Sequence, residues 1–195
     1  MKKSRPGRLR IVAGIWRSRL LEIASVPGLR PTSERIRETL FNWLAPTING
    51  AHCLDLFAGT GALGLEALSR GAARTVFVEK SAVAIKTLQK NIATLDATNA
   101  VVCHSDAFRF LSAAQLGKFD IVFLDPPFAT EMLGDLYQTL HKASILAPNA
   151  RIYVEEDRAT PAVELPADWE VLKSKNAGKV RYSLLRIGAA TKGTD

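Results

Sequence analysis

Residues 54–64 read Leu-Asp-Leu-Phe-Ala-Gly-Thr-Gly-Ala-Leu-Gly. The glycines at positions 59, 61 and 64 match the spacing G-x-G-x-x-G, and they lie between a predicted strand and a predicted helix. In that context the pattern indicates a nucleotide-like ligand at the carboxyl ends of parallel strands. Glu79 ends the next predicted strand, where its carboxylate can accept both hydroxyls of a ribose. A tight turn that only packs helix against strand is the alternative interpretation.

Outward from this loop, short apolar strands alternate with helices. The pattern predicts strands over 51–56, 74–79, 100–104, 119–124 and 150–155, with helices near 62–70, 81–94, 107–114 and 131–143. Two further extended stretches, 169–175 and 179–187, flank an Asn-Ala-Gly turn and predict a hairpin. The expected fold is therefore α/β: a Rossmann-like, mostly parallel sheet of seven strands covered on both faces.

The N-terminal part has a different pattern. Residues 8–12 and 16–20 predict two strands joined by a turn at Gly14, and Thr32 or Ser33 can cap a helix that Pro46 ends. We expect residues 1–45 to form a basic hairpin and helix extension with an RNA-binding role. The catalytic domain is then expected over residues 46–190.

The charge of the chain is concentrated in this extension. The formal net charge is +7, and residues 1–40 hold ten Lys and Arg against three Glu, so the rest of the chain is neutral. A basic arm on a neutral body suggests a polyanionic partner, because neutralising phosphates supplies affinity without sequence information. A solubilising tail is the alternative.

Composition narrows the class of protein. With 47% hydrophobic and 23% charged residues, the 195-residue chain is typical of a globular domain. We find neither a signal peptide nor an apolar run of the roughly 20 residues that cross a bilayer. Cys53 and Cys103 are isolated within apolar stretches, which indicates a reducing compartment and no metal site. We therefore expect a cytoplasmic protein.

Two acidic side chains near the glycine loop indicate which ligand it holds. Asp55 lies four residues before Gly59, where a carboxylate would oppose a pyrophosphate but would suit the ammonium of S-adenosylmethionine. Asp106 follows the third predicted strand of the α/β part and can meet the adenine amino group. A plain N-cap of the following helix is an equally good interpretation of Asp106.

Residues 125–128 read Asp-Pro-Pro-Phe at the end of another strand. Prolines stop strand pairing and stiffen the loop, and Asp125 with one proline carbonyl can accept both protons of an NH₂ group. The aromatic side chain can stack on the base that carries that amine. This arrangement predicts methyl transfer to an exocyclic amine, with Asp125, Pro126, Pro127 and Phe128 as the catalytic set.

The sequence resembles the amino-methyltransferases that carry an [Asn/Asp/Ser]-Pro-Pro-[Tyr/Phe] motif. Within them it is similar to the RsmD family, the bacterial 16S rRNA guanine-N2 methyltransferases. The likeness spans nearly the whole chain and is carried by residues 10–17, 28–32, 37–44, 54–67 and 122–128. It implies a class I methyltransferase fold and S-adenosylmethionine as the cofactor. It also implies one guanine of 16S rRNA as the target, methylated on an assembling small subunit with ribosomal proteins present.

The resemblance also assigns residues to roles. The cofactor-binding set that it implies is Asp55, Phe57, Ala58, Gly59, Gly61, Glu79, Lys80, Asp106 and Ala107. The expected RNA contacts are Arg8, Arg10, Arg17, Arg19, Arg30, Thr32 and Arg37. We expect a monomer that binds neither a metal nor a membrane.

Two alternatives stay open at this point. DNA adenine-N6 and protein glutamine-N5 methyltransferases share the Pro-Pro motif, although the chain has no insertion large enough for a DNA target-recognition domain. A binding module that holds NAD on the glycine loop and RNA on the arm is the other, and Asp55 disfavours it.

Overall fold

The structure is a computed structural model, and it describes residues 7–26, 31–113, 117–127 and 132–188. Within these ranges the expected alternation of strand and helix is present. The N-terminal elements are β1 (Arg8–Arg10), β2 (Leu20–Glu22) and α1 (Glu34–Leu44). The α/β part consists of β3 (His52–Asp55), α2 (Ala62–Ser69), β4 (Arg74–Glu79), α3 (Ala82–Leu95), β5 (Ala100–His104), α4 (Ala107–Ala113), β6 (Phe119–Leu124), α5 (Leu133–Lys142) and β7 (Leu146–Asp157). The chain closes with β8 (Trp169–Ala177) and β9 (Val180–Ile187).

Seven strands form one sheet in the order β5-β4-β3-β6-β7-β9-β8. The first five in that order are parallel, and β9 pairs antiparallel with both β7 and β8. The order reverses between β3 and β6, so their carboxyl ends open a crevice at the centre of the sheet. The predicted fold class is confirmed.

The sheet is covered on both faces because its strands alternate between two hydrophobic clusters. Cys53, Phe77 and Phe123 point into one cluster, which also takes the apolar faces of α1, α2 and α3. Leu54, Val78 and Val122 point into the other, against α4 and α5. Buried strands of this kind hold the loops at their carboxyl ends in fixed positions.

Helix α1 begins as the sequence predicted, since the Ser33 hydroxyl accepts a hydrogen bond from the Ile36 backbone N–H. Its buried apolar side chains, and Leu9, Ile11 and Leu21 of the hairpin, belong to the same cluster as the sheet. The described part of the N-terminal segment thus packs directly on the α/β part. A boundary at residue 45 stays a prediction.

Two strands begin four residues away from the expected start. The second hairpin strand begins at Leu20 instead of residue 16, because residues 13–18 form a longer turn with positive φ at Gly14 and Ser18. Strand β7 begins at Leu146 instead of residue 150, and its pairing with β6 shifts register between Phe119 and Ile121. In both places the conformation of a turn sets where the strand begins, and apolar periodicity in the sequence does not reveal it.

None of the helices in the described ranges is both long enough and apolar enough to cross a bilayer.

Candidate active site

The carboxyl ends of the parallel strands open into one cavity of about 850 Å³. Strands β3, β4 and β7 and the loops after β5 and β6 all contribute to its walls. The predicted residues that line it are Asp55, Phe57, Ala58, Gly59, Glu79, Lys80, Asp106, Ala107, Asp125, Pro126 and Pro127. The fold thus brings the predicted cofactor loop and the predicted catalytic loop to the same cavity.

The glycine loop turns sharply from β3 into α2. Gly59 and Gly61 have φ of 50° and 80°, a region that side chains with a Cβ disfavour. A Cβ on Gly61 would also lie 2.5 Å from Leu88 Cδ1. Gly61 itself is not in the cavity wall, whereas Thr60 and Ala62 are. Its contribution is therefore the shape of the loop.

Asp55 is deeply buried at the end of β3, with 2% of its surface exposed. Its Oδ2 accepts a hydrogen bond of 3.0 Å from the Gly64 backbone N–H. Burial raises the pKa of Asp55 to about 7; the Gly64 hydrogen bond opposes this rise and the Glu79 charge adds to it. Among the described residues, no Lys, Arg or His forms a salt bridge with Asp55. This buried carboxylate thus suits a cationic ligand better than an anionic one.

Glu79 fixes the loop from the neighbouring strand. Its carboxylate accepts hydrogen bonds from the backbone N–H groups of Gly59, at 2.8 Å, and Ser81, at 2.7 Å. A carboxylate has about four acceptor positions, so roughly two remain for hydroxyl donors in the cavity. The side chain is thereby held in one orientation and can still bind a diol.

Asp106 has the N-cap geometry that the sequence allowed, and its contact with adenine stays a prediction. Its Oδ1 accepts hydrogen bonds from the Phe108 and Arg109 backbone N–H groups, the geometry of an N-cap for α4. The same residue lies in the cavity wall beside Ala107 and Phe108. Capping therefore holds Asp106 at the cavity.

Asp125 lies at the end of β6, followed by Pro126 and Pro127. Its Oδ2 accepts a hydrogen bond of 3.3 Å from the Thr32 hydroxyl. Burial, with the nearby charges of Glu155 and Asp55, raises the pKa of Asp125 well above its usual range, while the Thr32 hydrogen bond opposes the rise. Phe128, the fourth residue of the predicted set, lies outside the described residues.

Sequence reasoning missed Glu155, a second carboxyl group beside Asp125. Glu155 is 4% exposed, lines the cavity, and accepts a 2.9 Å hydrogen bond from the Tyr153 hydroxyl. Burial raises its pKa, and hydrogen bonds from Thr32 and Tyr153 oppose the rise. A signal was present, since Glu155 ends an apolar strand as Asp55 and Glu79 do. Lys179, in the β8–β9 turn, also reaches the cavity and was missed for lack of any motif.

The predicted RNA contacts other than Arg37 fall into three groups. Arg8, Arg10, Arg17 and Arg19 are exposed on the hairpin and its turn. Arg10 pairs with Glu34 at 2.7 Å, and Arg19 donates to the Thr94 carbonyl. Thr32 is buried and lies in the cavity wall, where its hydroxyl contacts Asp125. Arg30 lies outside the described residues.

Arg37 corrects the expectation. Its side chain is completely buried, and its Nη1 lies 2.9 Å from Glu66 Oε2. It also donates to the carbonyls of Thr32 and Arg10. Enclosed in this way, Arg37 cannot reach an RNA phosphate, so its assignment as an RNA contact is wrong. The charge count from sequence treated it as a surface cation, because spacing alone does not show which face of α1 is buried.

Glu66 is the centre of the contact between the hairpin and the α/β part. Besides Arg37, its carboxylate binds Arg70 at 2.8 Å and the backbone N–H groups of Val12 and Ala13. Ser69 continues this contact, since its hydroxyl donates to the Ala13 carbonyl and accepts from the Trp16 N–H. The turn between β1 and β2 is therefore held on α2.

In the described part of the chain, no three His, Cys, Asp or Glu side chains are grouped so as to hold a metal ion.

Comparison with known proteins gives consistent matches along the chain. Residues 9–186 match the model of the family described as Conserved hypothetical protein 95. The chain is 49% identical over 188 residues to a protein named Ribosomal RNA small subunit methyltransferase D from Escherichia coli (strain K12). That match covers 94% of each chain.

Solved structures share the fold. An Escherichia coli structure, yhhF, whose description proposes a methyltransferase, superimposes with a TM-score of 0.86 at 44% identity, covering 94% of this chain and 99% of that one. A Streptococcus mutans structure, whose description proposes an S-adenosylmethionine-dependent methyltransferase, gives a TM-score of 0.73 at 16% identity. It covers 96% of this chain and 57% of that chain, and at this identity the likeness concerns the fold alone.

Proposed function

The chain belongs to the Conserved hypothetical protein 95 family, the RsmD family, and we propose that it methylates the exocyclic N2 amine of one guanine in 16S rRNA. The general reaction, without the choice of base, is S-adenosylmethionine-dependent methylation of ribosomal RNA. The observation that carries the proposal is the position of Asp125 and its two prolines on the cavity that Asp55 and Glu79 also line.

The residues of the cavity fit S-adenosylmethionine. Asp55 is a buried carboxylate without a salt-bridge partner among the described residues, which suits the ammonium group of the cofactor. Glu79 keeps acceptor positions for the ribose hydroxyls, and Asp106 with Ala107 would hold the adenine end. Phe57, Ala58, Gly59 and Lys80 complete the proposed binding set. When bound, the cofactor supplies an electrophilic methyl group.

In this proposal, Asp125 orients the nucleophile, which is the exocyclic amine of the target base. An exocyclic amine nucleophile is weak because its lone pair is delocalised into the ring. Asp125 and a proline carbonyl accept the two N–H hydrogen bonds, which draws the nitrogen toward tetrahedral geometry and directs the lone pair at the methyl carbon. Methyl transfer would form an N–C bond as the S–C bond of the cofactor breaks; the amine would lose one proton, and Asp125 would accept it.

Phe128 follows the prolines in sequence. We propose that it stacks on the target base, which must be unpaired to enter such a site. Pro126 and Pro127 each fix φ, which stiffens the segment between Asp125 and Phe128 in the sequence. Guanine is proposed over adenine on the family relationship alone, because the acceptors in this cavity would suit either amine.

The RNA would be held by the exposed hairpin arginines, Arg8, Arg10, Arg17 and Arg19, together with Arg30, and by Thr32 in the cavity wall. Their charges neutralise phosphates without reading sequence, so the selection of one guanine must come from the shape of the substrate. We therefore propose that the substrate is 16S rRNA in an assembling small subunit, where ribosomal proteins shape the RNA. Since this substrate would be met in the cytoplasm, we propose that the protein acts there. We also propose that it acts as a monomer.

A competition between methyl acceptors tests this function. The protein is incubated with cofactor labelled on the methyl group and with four acceptors: naked 16S rRNA, small-subunit particles, duplex DNA and bulk protein. We expect label in small-subunit particles from cells without this protein, and none in particles from wild-type cells, whose site is already methylated. Label only in DNA or protein would overturn the proposal.

A further inference from the structure

Asp125 and Glu155 are neighbours at the centre of the cavity. Strands β6 and β7 pair in parallel with Leu124 opposite Val154, so the next residue of each strand is one of the two acids. Both carboxyl groups line the cavity, and Glu155 is 4% exposed. Two ionised carboxylates placed side by side in a buried site repel strongly, so such pairs commonly share a proton.

The Thr32 hydroxyl lies beside both acids. It donates a hydrogen bond to Asp125 Oδ2 at 3.3 Å, and it is close enough to the Glu155 carboxyl group to oppose the rise in the pKa of that group. A hydroxyl has a single proton to donate, so it cannot donate to both acids at once. All three groups are satisfied when one acid is protonated and the hydroxyl accepts on that side while it donates on the other.

The surrounding groups hold the pair in place. Tyr153 donates to Glu155 Oε1 at 2.9 Å, and Tyr182 lies opposite Glu155 on β9. Asp55 faces Asp125 from β3 and adds to the negative charge. The Arg37 Nε donates to the Thr32 carbonyl, which fixes the backbone from which the hydroxyl projects. Arg37 is paired with Glu66, and among the described residues the cavity wall also contains the cations Lys80 and Lys179.

We propose that Glu155 is a positioning residue for Asp125: across the Thr32 hydroxyl the two carboxyl groups hold one proton between them. The pair then has a single negative charge, and Asp125 is fixed in one orientation with acceptor positions toward the amine. The proton given up by the amine during methyl transfer enters this pair and passes from it to water. This inference rests on the proposed function for its meaning in catalysis, but the shared proton is a property of the protein alone.

The shared proton can be measured without any substrate. In protein labelled with ¹³C at the carboxyl groups of Asp, the Asp125 resonance is assigned by its loss in Asp125→Asn and followed against pH by NMR. Two coupled acids titrate in two steps that belong to the pair. We expect two steps for Asp125 in the wild type, and in Glu155→Gln a single step with the upper step lost. Glu156→Gln is the matched control, because Glu156 is the next residue of β7 and pairs with Arg181.

Thr32→Val, which has the same shape but no hydroxyl, is a second variant. It tests the same inference if Glu155→Gln does not fold. Without the bridging hydroxyl, the separation of the two steps should change. In the methyl-transfer assay, Glu155→Gln should move the acid limb of kcat/KM to lower pH by at least half a unit, with KM for the RNA unchanged. A single-step Asp125 titration that is identical in wild type, Glu155→Gln and Glu156→Gln would overturn the inference. Absence of methyl transfer by the wild type would instead overturn the proposed function and leave the titration result standing.

Discussion

Arg37 and Glu66 form an ion pair from which solvent is completely excluded, with 2.9 Å between Nη1 and Oε2. The pair joins α1 to α2, and the same Glu66 carboxylate accepts the Val12 and Ala13 N–H groups of the hairpin turn. One buried acid thus connects the N-terminal segment, the first helix and the helix that follows the glycine loop.

Removal of one partner should therefore be costly. We expect Arg37→Ala to lower the free energy of unfolding by about 3–5 kcal/mol, because Glu66 would be left buried without its main cationic partner. Arg35→Ala is the control, since Arg35 is exposed on the same helix. Urea denaturation measures both. Equal stability of the two variants would show that the buried pair contributes little.

The hairpin turn should depend on the glycine at position 14. Gly14 has φ of 86°, and a Cβ there would lie 1.8 Å from the Ser69 carbonyl oxygen. Gly50 has a similar φ of 76° and nothing within 4 Å of an added Cβ. Both Ala variants incur the cost of a left-handed residue, about 1–2 kcal/mol, but only Gly14→Ala also forces the turn away from α2. Hydrogen exchange of residues 8–22 should increase in Gly14→Ala alone; equal protection in the two variants would contradict the close approach of the turn to α2.

RNA affinity tests the exposed arginines. We expect Arg8→Ala and Arg17→Ala to weaken binding to small-subunit RNA and to reduce the slope of log K against log salt by about 0.7–0.9 for each phosphate that is no longer neutralised. Affinity for S-adenosylmethionine should not change. Lys142→Ala is the control, because Lys142 is an exposed cation on α5, which packs on the opposite face of the sheet. Unaltered RNA affinity and salt slope in the arginine variants would remove the hairpin from the interface.

Cofactor binding should depend on pH through Asp55. Burial raises the pKa of Asp55 to about 7, so about a tenth of the group is ionised at pH 6 and about half at pH 7. Since the ionised form attracts the ammonium, we expect the calorimetric affinity for S-adenosylmethionine to rise about five-fold between these values. Asp55→Asn should bind more weakly and lose this dependence, whereas Asp135→Asn, an exposed change on α5, should keep it. The same pH dependence in Asp55→Asn would exclude Asp55 as its source.

The same shift has a consequence for stability in the absence of ligand. Because the folded-state pKa is raised, the contribution of Asp55 is fully present below its unfolded value near 4 and is lost as pH rises through about 7. The cofactor-free wild type should thus lose stability relative to Asp55→Asn as pH rises from 4 to 8. A stability difference that is constant with pH would contradict a raised pKa at this position.

Much of the architecture could be predicted because apolar periodicity and strand-ending acids are local signals. Strands β4, β5 and β6 begin and end where the pattern placed them, and the acids at the carboxyl ends of β3, β4 and β6 meet at one cavity. The family resemblance was confirmed by the match over residues 9–186. Burial of a charged residue is not a local signal, however. Arg37 was misassigned and Glu155 was missed because each depends on contacts between elements far apart in sequence, such as the Thr32–Asp125 hydrogen bond.

The proposed methyl acceptor is one atom, the exocyclic nitrogen of a guanine. Small-subunit RNA from cells that lack this protein, complemented with wild type, Asp125→Ala or Asp120→Asn, can be digested and the methylated nucleoside mapped by mass spectrometry. Asp120 is an exposed residue of the same strand as Asp125 and serves as the control. We predict N2-methylguanosine at one position with the wild type and Asp120→Asn, and a loss of about 100-fold or more in rate with Asp125→Ala although it still binds cofactor. No difference in methylated guanosine between deficient and complemented cells, or full restoration by Asp125→Ala, would contradict the account.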